Sequence, residues 1–253
     1  MAVTHTSDTF PVHRVPVSRP FVWLRAGWDD MLHHRGASLA YGWLVATLGA
    51  LILAYSRHPV YIATAIAAFL LVGPVITAGV CELSRRRDHG EEASFQLSLQ
   101  SLGKNRGALL SFAAVLVAFG VVCFGLTALI LQFTTGNIAP TLESSVWADV
   151  LPLLSTSQAI VYAIAFVVLA AAVFAVSVVT VPMIIDRHVD ALTAMRMSLR
   201  VAARDLPALV LWVVTIVALV LFGFVTWLLG FVIVMPLLGH ATWHAYRDMV
   251  TEA

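Results

Sequence analysis

The stretch 206–246, LPALVLWVVTIVALVLFGFVTWLLGFVIVMPLLGHATWHAY, runs for 41 residues without an Asp, Glu, Lys or Arg. Its first 34 residues, as one straight helix, would reach about 51 Å at about 1.5 Å per residue. A bilayer core is about 30 Å thick and is crossed by about 20 apolar residues. That length is too long for one crossing and short for two, but the full 41 residues hold two spans joined by a minimal turn. The turn is expected at 226–230, where Trp227 can sit at a membrane interface. The two spans then run over about 206–226 and 229–246.

The same reading extends toward the N-terminus. The uncharged run 38–56, SLAYGWLVATLGALILAYS, is the first span, and Arg57-His58-Pro59 makes a turn because proline cannot continue a helix. A second span covers about 60–83, with Glu82 its one charge, near the end. The third covers about 107–133 and the fourth about 158–186. Between those two lies TTGNIAPTLESSVWADVLPLLSTS, rich in Ser, Thr and Pro, which reads as an extramembrane loop with a short interfacial helix near Trp147. The expected architecture is all-α, a polytopic membrane protein of six spans within 21–248, preceded by a flexible cytoplasmic tail over 1–20.

Composition agrees. Of 253 residues 60% are hydrophobic and 11% charged, against about 25% charged in soluble domains, and the mean hydropathy is +0.91. A soluble enzyme and a disordered chain are excluded. The net charge of +1, from 15 basic and 14 acidic residues, and the lack of a basic patch interleaved with aromatics argue against a nucleic-acid partner. The first twenty residues contain no apolar core of a cleavable signal. Cys81 and Cys123 each lie in an apolar run and read as small packing residues. With six spans, 14 of the 15 basic residues fall on one side and only Arg57 on the other. The positive-inside rule therefore places both termini in the cytoplasm of a bacterial inner membrane.

The cytoplasmic segments repeat. Three short amphipathic helices are expected, with apolar stripes Phe21, Leu24, Trp28, Met31 and Leu32, then Phe95, Leu99 and Leu102, then Leu192, Met195, Leu199 and Ala202. Such helices lie in the interface with arginine stems reaching for phosphates. Arg35-Gly36-Ala37, Arg106-Gly107-Ala108 and Leu206-Pro207-Ala208 occupy matching places, and Gly27, Ser98 and Ser198 each precede the alanine by ten residues. The second span of each unit holds a proline: Pro74, Pro182 and Pro236. The chain thus reads as three parallel copies of interfacial helix, span, span. Gly42, Gly49, Gly73, Gly79, Gly120 and Gly125 would let helices approach closely.

The run Val181-Pro182-Met183-Ile184-Ile185-Asp186-Arg187 followed by Ala194 and Ser198, together with Gly27-Trp28 and Tyr41-Gly42, resembles the signature of bacterial integral membrane proteins grouped as domain-of-unknown-function family 2189. The resemblance covers about 19–248. More remotely the chain is similar to YciC-like inner-membrane proteins and to the membrane domain of glycerophosphodiester phosphodiesterases. Because that family has no established activity, the resemblance implies architecture and location, not chemistry.

Chemistry-bearing residues are few. No ionisable group falls near a span midpoint, where an ion-coupled transporter would place one. Glu82 and Asp186 sit at cytoplasmic span ends, near enough to Arg85 and Arg187 to pair with them, and they can alternatively form a polar mouth to an inward-facing cavity. His240 and His244 share a helical face. That spacing suits a metal or haem ligand pair, with His188 and Glu82 as further candidates, but no HExxH pattern is present; otherwise the pair belongs to an aromatic belt with Trp243 and Tyr246. No metal or other cofactor is expected. Pro74, Pro182 and Pro236 are read as helix kinks, for packing or around a shared cavity. No phosphate loop, nucleophile elbow or CxxC occurs, and no catalytic residue is expected. The reading is a non-enzymatic assembly, scaffold or regulatory component whose partners are the bilayer and either another membrane protein or a second copy. The alternative is a carrier or channel for an apolar or weakly polar solute.

Overall fold

The structure, a computed structural model, describes residues 10–54, 59–135 and 155–250. Ten helices follow in chain order: α1 (Arg19–His33), α2 (Arg35–Ala54), α3 (Pro59–Asp88), α4 (Phe95–Lys104), α5 (Arg106–Thr135), α6 (Thr156–Ser177), α7 (Thr180–Arg187), α8 (Ala191–Arg204), α9 (Leu206–Val225) and α10 (Phe231–Met249). The turn at Arg57-His58-Pro59 and the loop helix near Trp147 lie, in the first case mostly and in the second wholly, outside the described residues, as does most of the loop.

Local signals account for many helix starts. Pro20 and Pro207 open α1 and α9, where the missing amide would have no intrahelical partner. Ser94 caps α4 by accepting the Leu97 amide, and Asp190 caps α8 by accepting that of Thr193. Ser155 and Gln158 form a reciprocal capping box at α6.

One junction recurs three times. A single residue separates α1 from α2 (His34), α4 from α5 (Asn105) and α8 from α9 (Asp205). Each donates its amide to the preceding helix, to Asp30, Leu102 and Val201. Each also accepts, at its own carbonyl, the amide of the residue four later: Ser38 (2.9 Å), Leu109 (3.1 Å) and Leu209 (3.2 Å). No longer connection is spent at any of the three, and between α4 and α5 the chain bends by 83°.

Packing centres on α10, which touches α1, α2, α3, α7 and α9. Helices α3, α7 and α10, which carry Pro74, Pro182 and Pro236, all touch one another. The short helices pack outside that junction, α1 on α10, α4 on α3, and α8 on α6 and α7. The small residues aligned in sequence lie at helix contacts, α1 with α10, α4 with α2, and α8 with α6. Gly27 lies against the backbone of Ala241, Ser98 shares a 2.8 Å hydrogen bond with the Tyr41 hydroxyl, and Ser198 donates to the Ala175 carbonyl at 2.6 Å. Trp23 of α1 and Trp212 of α9 meet edge to face at 5.7 Å in the main core.

Three stretches among the described residues are long and apolar enough to cross a membrane: Arg35–Ile52, Thr156–Arg187 and Leu206–Val225. A fourth is added if the bent pair α4 and α5 is one span. The stretch 229–246 is a helix, and the turn at 226–230 is present, with Trp227 88% exposed. However, α10 does not meet the apolar criterion, because its C-terminal half carries His240, His244, Arg247 and Asp248.

Several expectations need correction. Trp243 and Tyr246 form no aromatic belt: both are fully buried, donating to Asp88 and Asp186 respectively, each at 2.7 Å. Pro182 kinks no helix interior. It lies in the first turn of α7, after a break at Val178 and Val179, where amides lack intrahelical partners. Pro74 and Pro236 do lie inside α3 and α10. The tail is not free from Phe10 onward, since Val12 bridges Val250 and the His13 amide bonds the Met249 carbonyl at 3.0 Å. On α1 the stripe Phe21, Trp28 and Leu32 faces outward, while Trp23, Gly27, Asp30 and Met31 face the protein. On that face Gly27 lets the α10 backbone approach closely.

Candidate functional site

The buried polar cluster of the molecule forms where α1, α2, α3 and α10 meet, and His240 is its centre. His240 is fully buried, with Nε2 2.9 Å from Ser38 Oγ and Nδ1 2.7 Å from Ser84 Oγ. Ser84 also donates its hydroxyl to Asp30 Oδ2 at 2.5 Å. A hydroxyl has one proton, so Ser84 accepts from His240, which makes Nδ1 the protonated nitrogen. Nε2 then accepts from Ser38. The result is one directed chain, Ser38 to His240 to Ser84 to the Asp30 carboxylate.

Asp30 collects the remaining charges. It is 3% exposed, pairs with the Arg87 guanidinium, and accepts from His244 Nε2 at 2.9 Å. Burial alone would push its carboxyl up. The hydrogen bonds from His244 and Ser84, with the positive potential of His244 and His240, outweigh that and hold it down at about 2. His34, at the α1–α2 junction nearby, is pushed down by burial first, and then by His33 and Arg87.

A second cluster lies apart on α3. Glu82 is 1% exposed and accepts from Arg85 (2.7 and 2.9 Å), from Arg86 (2.7 Å) and from Ser101 of α4 (2.7 Å). Arg85 also reaches Glu91, and the hydrogen bond to Glu82 leads in raising its pKa. Asp186 accepts from Tyr246 and lies 3.0 Å from Arg187. The pairings Glu82–Arg85 and Asp186–Arg187 are those expected from sequence. His188 is not with the other histidines; its Nδ1 faces Asn105 Oδ1 at 2.9 Å.

Thus His240 and His244 come together with Asp30, while Glu82 and Asp186 do not join them. Among the described residues, no three His, Cys, Asp or Glu side chains are grouped to hold a metal. Sequence reasoning missed Asp30, Ser38, Ser84 and Arg87. One signal was available: Asp30 follows Trp23 by seven and Gly27 by three, so it shares the face that a close-packed neighbour would cover.

Below this polar end lies an apolar crevice of about 310 Å³, lined by Pro74, Phe112, Phe174, Val181, Trp212 and Thr242 among others. Pro74 borders it; Pro182 and Pro236 do not. Its hydroxyls are occupied, since Thr77, Ser177 and Thr242 each donate to a carbonyl of their own helix.

The family model described as predicted integral membrane protein (DUF2189) matches residues 61–186. The DUF2189 match takes in α3 through most of α7, with Glu82 and its arginines inside it and Asp30, His240 and His244 outside. It is narrower than the 19–248 expected from the sequence. No curated protein and no solved structure matches the chain, so the likeness to YciC-like proteins and to the phosphodiesterase membrane domain is not shown. The chain is a membrane-embedded protein, all-helical among the described residues and similar over 61–186 to the DUF2189 family.

Proposed function

We propose that the protein is a six-span inner-membrane component with both termini in the cytoplasm, built from three tandem units of interfacial helix, span, span. We further propose that it acts without catalysis, in the assembly or regulation of a membrane partner. The threefold junction at His34, Asn105 and Asp205 supports the repeat. The separation of 14 basic residues from Arg57 supports the orientation.

One observation carries the functional reading. The buried polar groups Asp30, Glu82 and His240 are each bonded to a side chain of another helix, and none of them lines the crevice. Groups arranged in this way lock helices together rather than meet a substrate. The test is purification of the full chain in mild detergent, followed by quantification of co-purifying membrane proteins. A partner retained at fixed stoichiometry is expected; its absence under cross-linking in intact membranes would overturn the reading.

The second reading, a carrier for an apolar or weakly polar solute, is favoured by the crevice beside Pro74. It predicts protein-dependent uptake of such a solute into liposomes, reduced when Thr242→Trp fills the crevice.

A further inference from the structure

The N-terminal arm and α8 form an open recess of about 820 Å³ lined by Phe10, Pro11, Val12, Arg14, Arg200 and Arg204 together with Ala203. Among the described residues no carboxylate lines it. Asp205, the neighbour of Arg204, is buried and is engaged with the Val15 amide at 2.6 Å. Asp248 is likewise paired, with Arg19. Three guanidiniums therefore face one opening with no acid among the described residues that line it.

This gathering is built, not incidental to a loose tail. Arg14 is carried in by an arm tied to α10 through Val12 and His13, and to the α8–α9 junction through Val15. Its own Nε donates to the Arg204 carbonyl at 3.2 Å, so it is held alongside the α8 arginines. Phe10, on the recess wall, lies 5.4 Å from the Arg187 guanidinium in a cation–π contact. Like charges brought together repel unless an anion joins them, and guanidiniums bind phosphate oxygens through paired N–H donors. Beside the recess, α8 exposes Leu192 and Leu199 at 52% and 46%, as a helix lying at a lipid interface would.

We propose that Arg14, Arg200 and Arg204 bind a phosphate-bearing anion, which the exposed leucines of α8 suit to be the headgroup of an anionic phospholipid. The inference does not depend on whether the protein is a scaffold or a carrier.

The test uses the full chain in neutral detergent, titrated with phosphatidylglycerol or phosphatidylcholine and read by native mass spectrometry. Phosphatidylglycerol is expected to bind about tenfold tighter than phosphatidylcholine. At about fivefold per arginine near a lipid surface, Arg14→Gln should weaken it about fivefold, and Arg200→Gln with Arg204→Gln about 25-fold. Arg196→Gln, one turn earlier on α8 and outside the recess lining, should change it less than twofold. Inorganic phosphate at millimolar concentration separates the two sources. Displacement with the same arginine dependence assigns a free phosphate anion, and failure to displace assigns the lipid headgroup; both support the site. Equal binding of the two lipids, or a loss with Arg196→Gln as large as that of the double variant, would overturn it. If the double variant does not fold, Arg14→Gln, which lies outside every helix, decides alone.

Discussion

Asp30 is the residue on which the polar end of the molecule turns, because an arginine, a histidine and a serine all converge on its one carboxylate. Removing one member of a buried pair leaves the others desolvated without a partner, at about 3–5 kcal/mol. Asp30→Ala is therefore expected to destabilise by about that much in thermal unfolding in detergent. Asp29→Ala, at the exposed neighbouring position, should stay within about 0.5 kcal/mol. The same carboxyl sets an acid dependence. Its folded value of about 2 lies below the ordinary 3.8, so the unfolded chain binds the proton more readily between them. The stabilisation, at most about 2.4 kcal/mol, is complete above about pH 4 and lost as pH falls through 2. Unfolding midpoints measured from pH 6 to pH 2 should drop over that window, and Asp30→Asn should remove that part of the drop.

At the scale of elements, two glycines of α2 make opposite predictions. A methyl group at Gly42 would fall on the Val232 backbone of α10, whereas one at Gly36 would meet nothing within 4 Å. Backbone cannot yield as a side-chain tip does, so Gly42→Ala must push α2 away from α10 and is expected to cost about 1–3 kcal/mol. Gly36→Ala should be neutral or raise stability by up to about 1 kcal/mol, since alanine favours helix. Equal unfolding midpoints for the two variants would show that α2 and α10 do not pack as described. Gly79 is also close-packed, but against the Tyr41 ring rather than backbone, while Gly73 and Gly125 have open space beside them. A list of small residues therefore does not by itself mark helix contacts.

For the whole molecule, the proposed topology puts residue 253 in the cytoplasm. A reporter active only in the periplasm, fused after Ala253, is expected to be silent, and activity there would rule out six spans with this orientation. The even count depends on α10 crossing together with α9, and α10 differs from the other spans. Its C-terminal half is shielded by α1, α2, α3 and α7 rather than by lipid. A polar helix end can lie at membrane depth only when protein satisfies it, and here Asp30, Ser38, Ser84, Asp88 and Asp186 do so.

The sequence by itself determined the helical class, the positions of the long apolar helices, the turn at 226–230 and the three short amphipathic helices. These follow from charge-free length, proline and periodicity, which act locally along the chain. The pairings of Glu82 with Arg85 and of Asp186 with Arg187 were legible for the same reason, since the partners are three residues and one residue apart. Only the tertiary structure decided that Asp30 joins His240 and His244, more than 200 residues away, and that Trp243 and Tyr246 face protein instead of lipid. It alone decided which side of α1 is inward. Periodicity shows that a helix has two faces, but lipid and protein core are both apolar, so hydrophobicity cannot say which face meets which. Close backbone approach and the pairing of distant polar groups choose between them, and both exist only once the helices have packed.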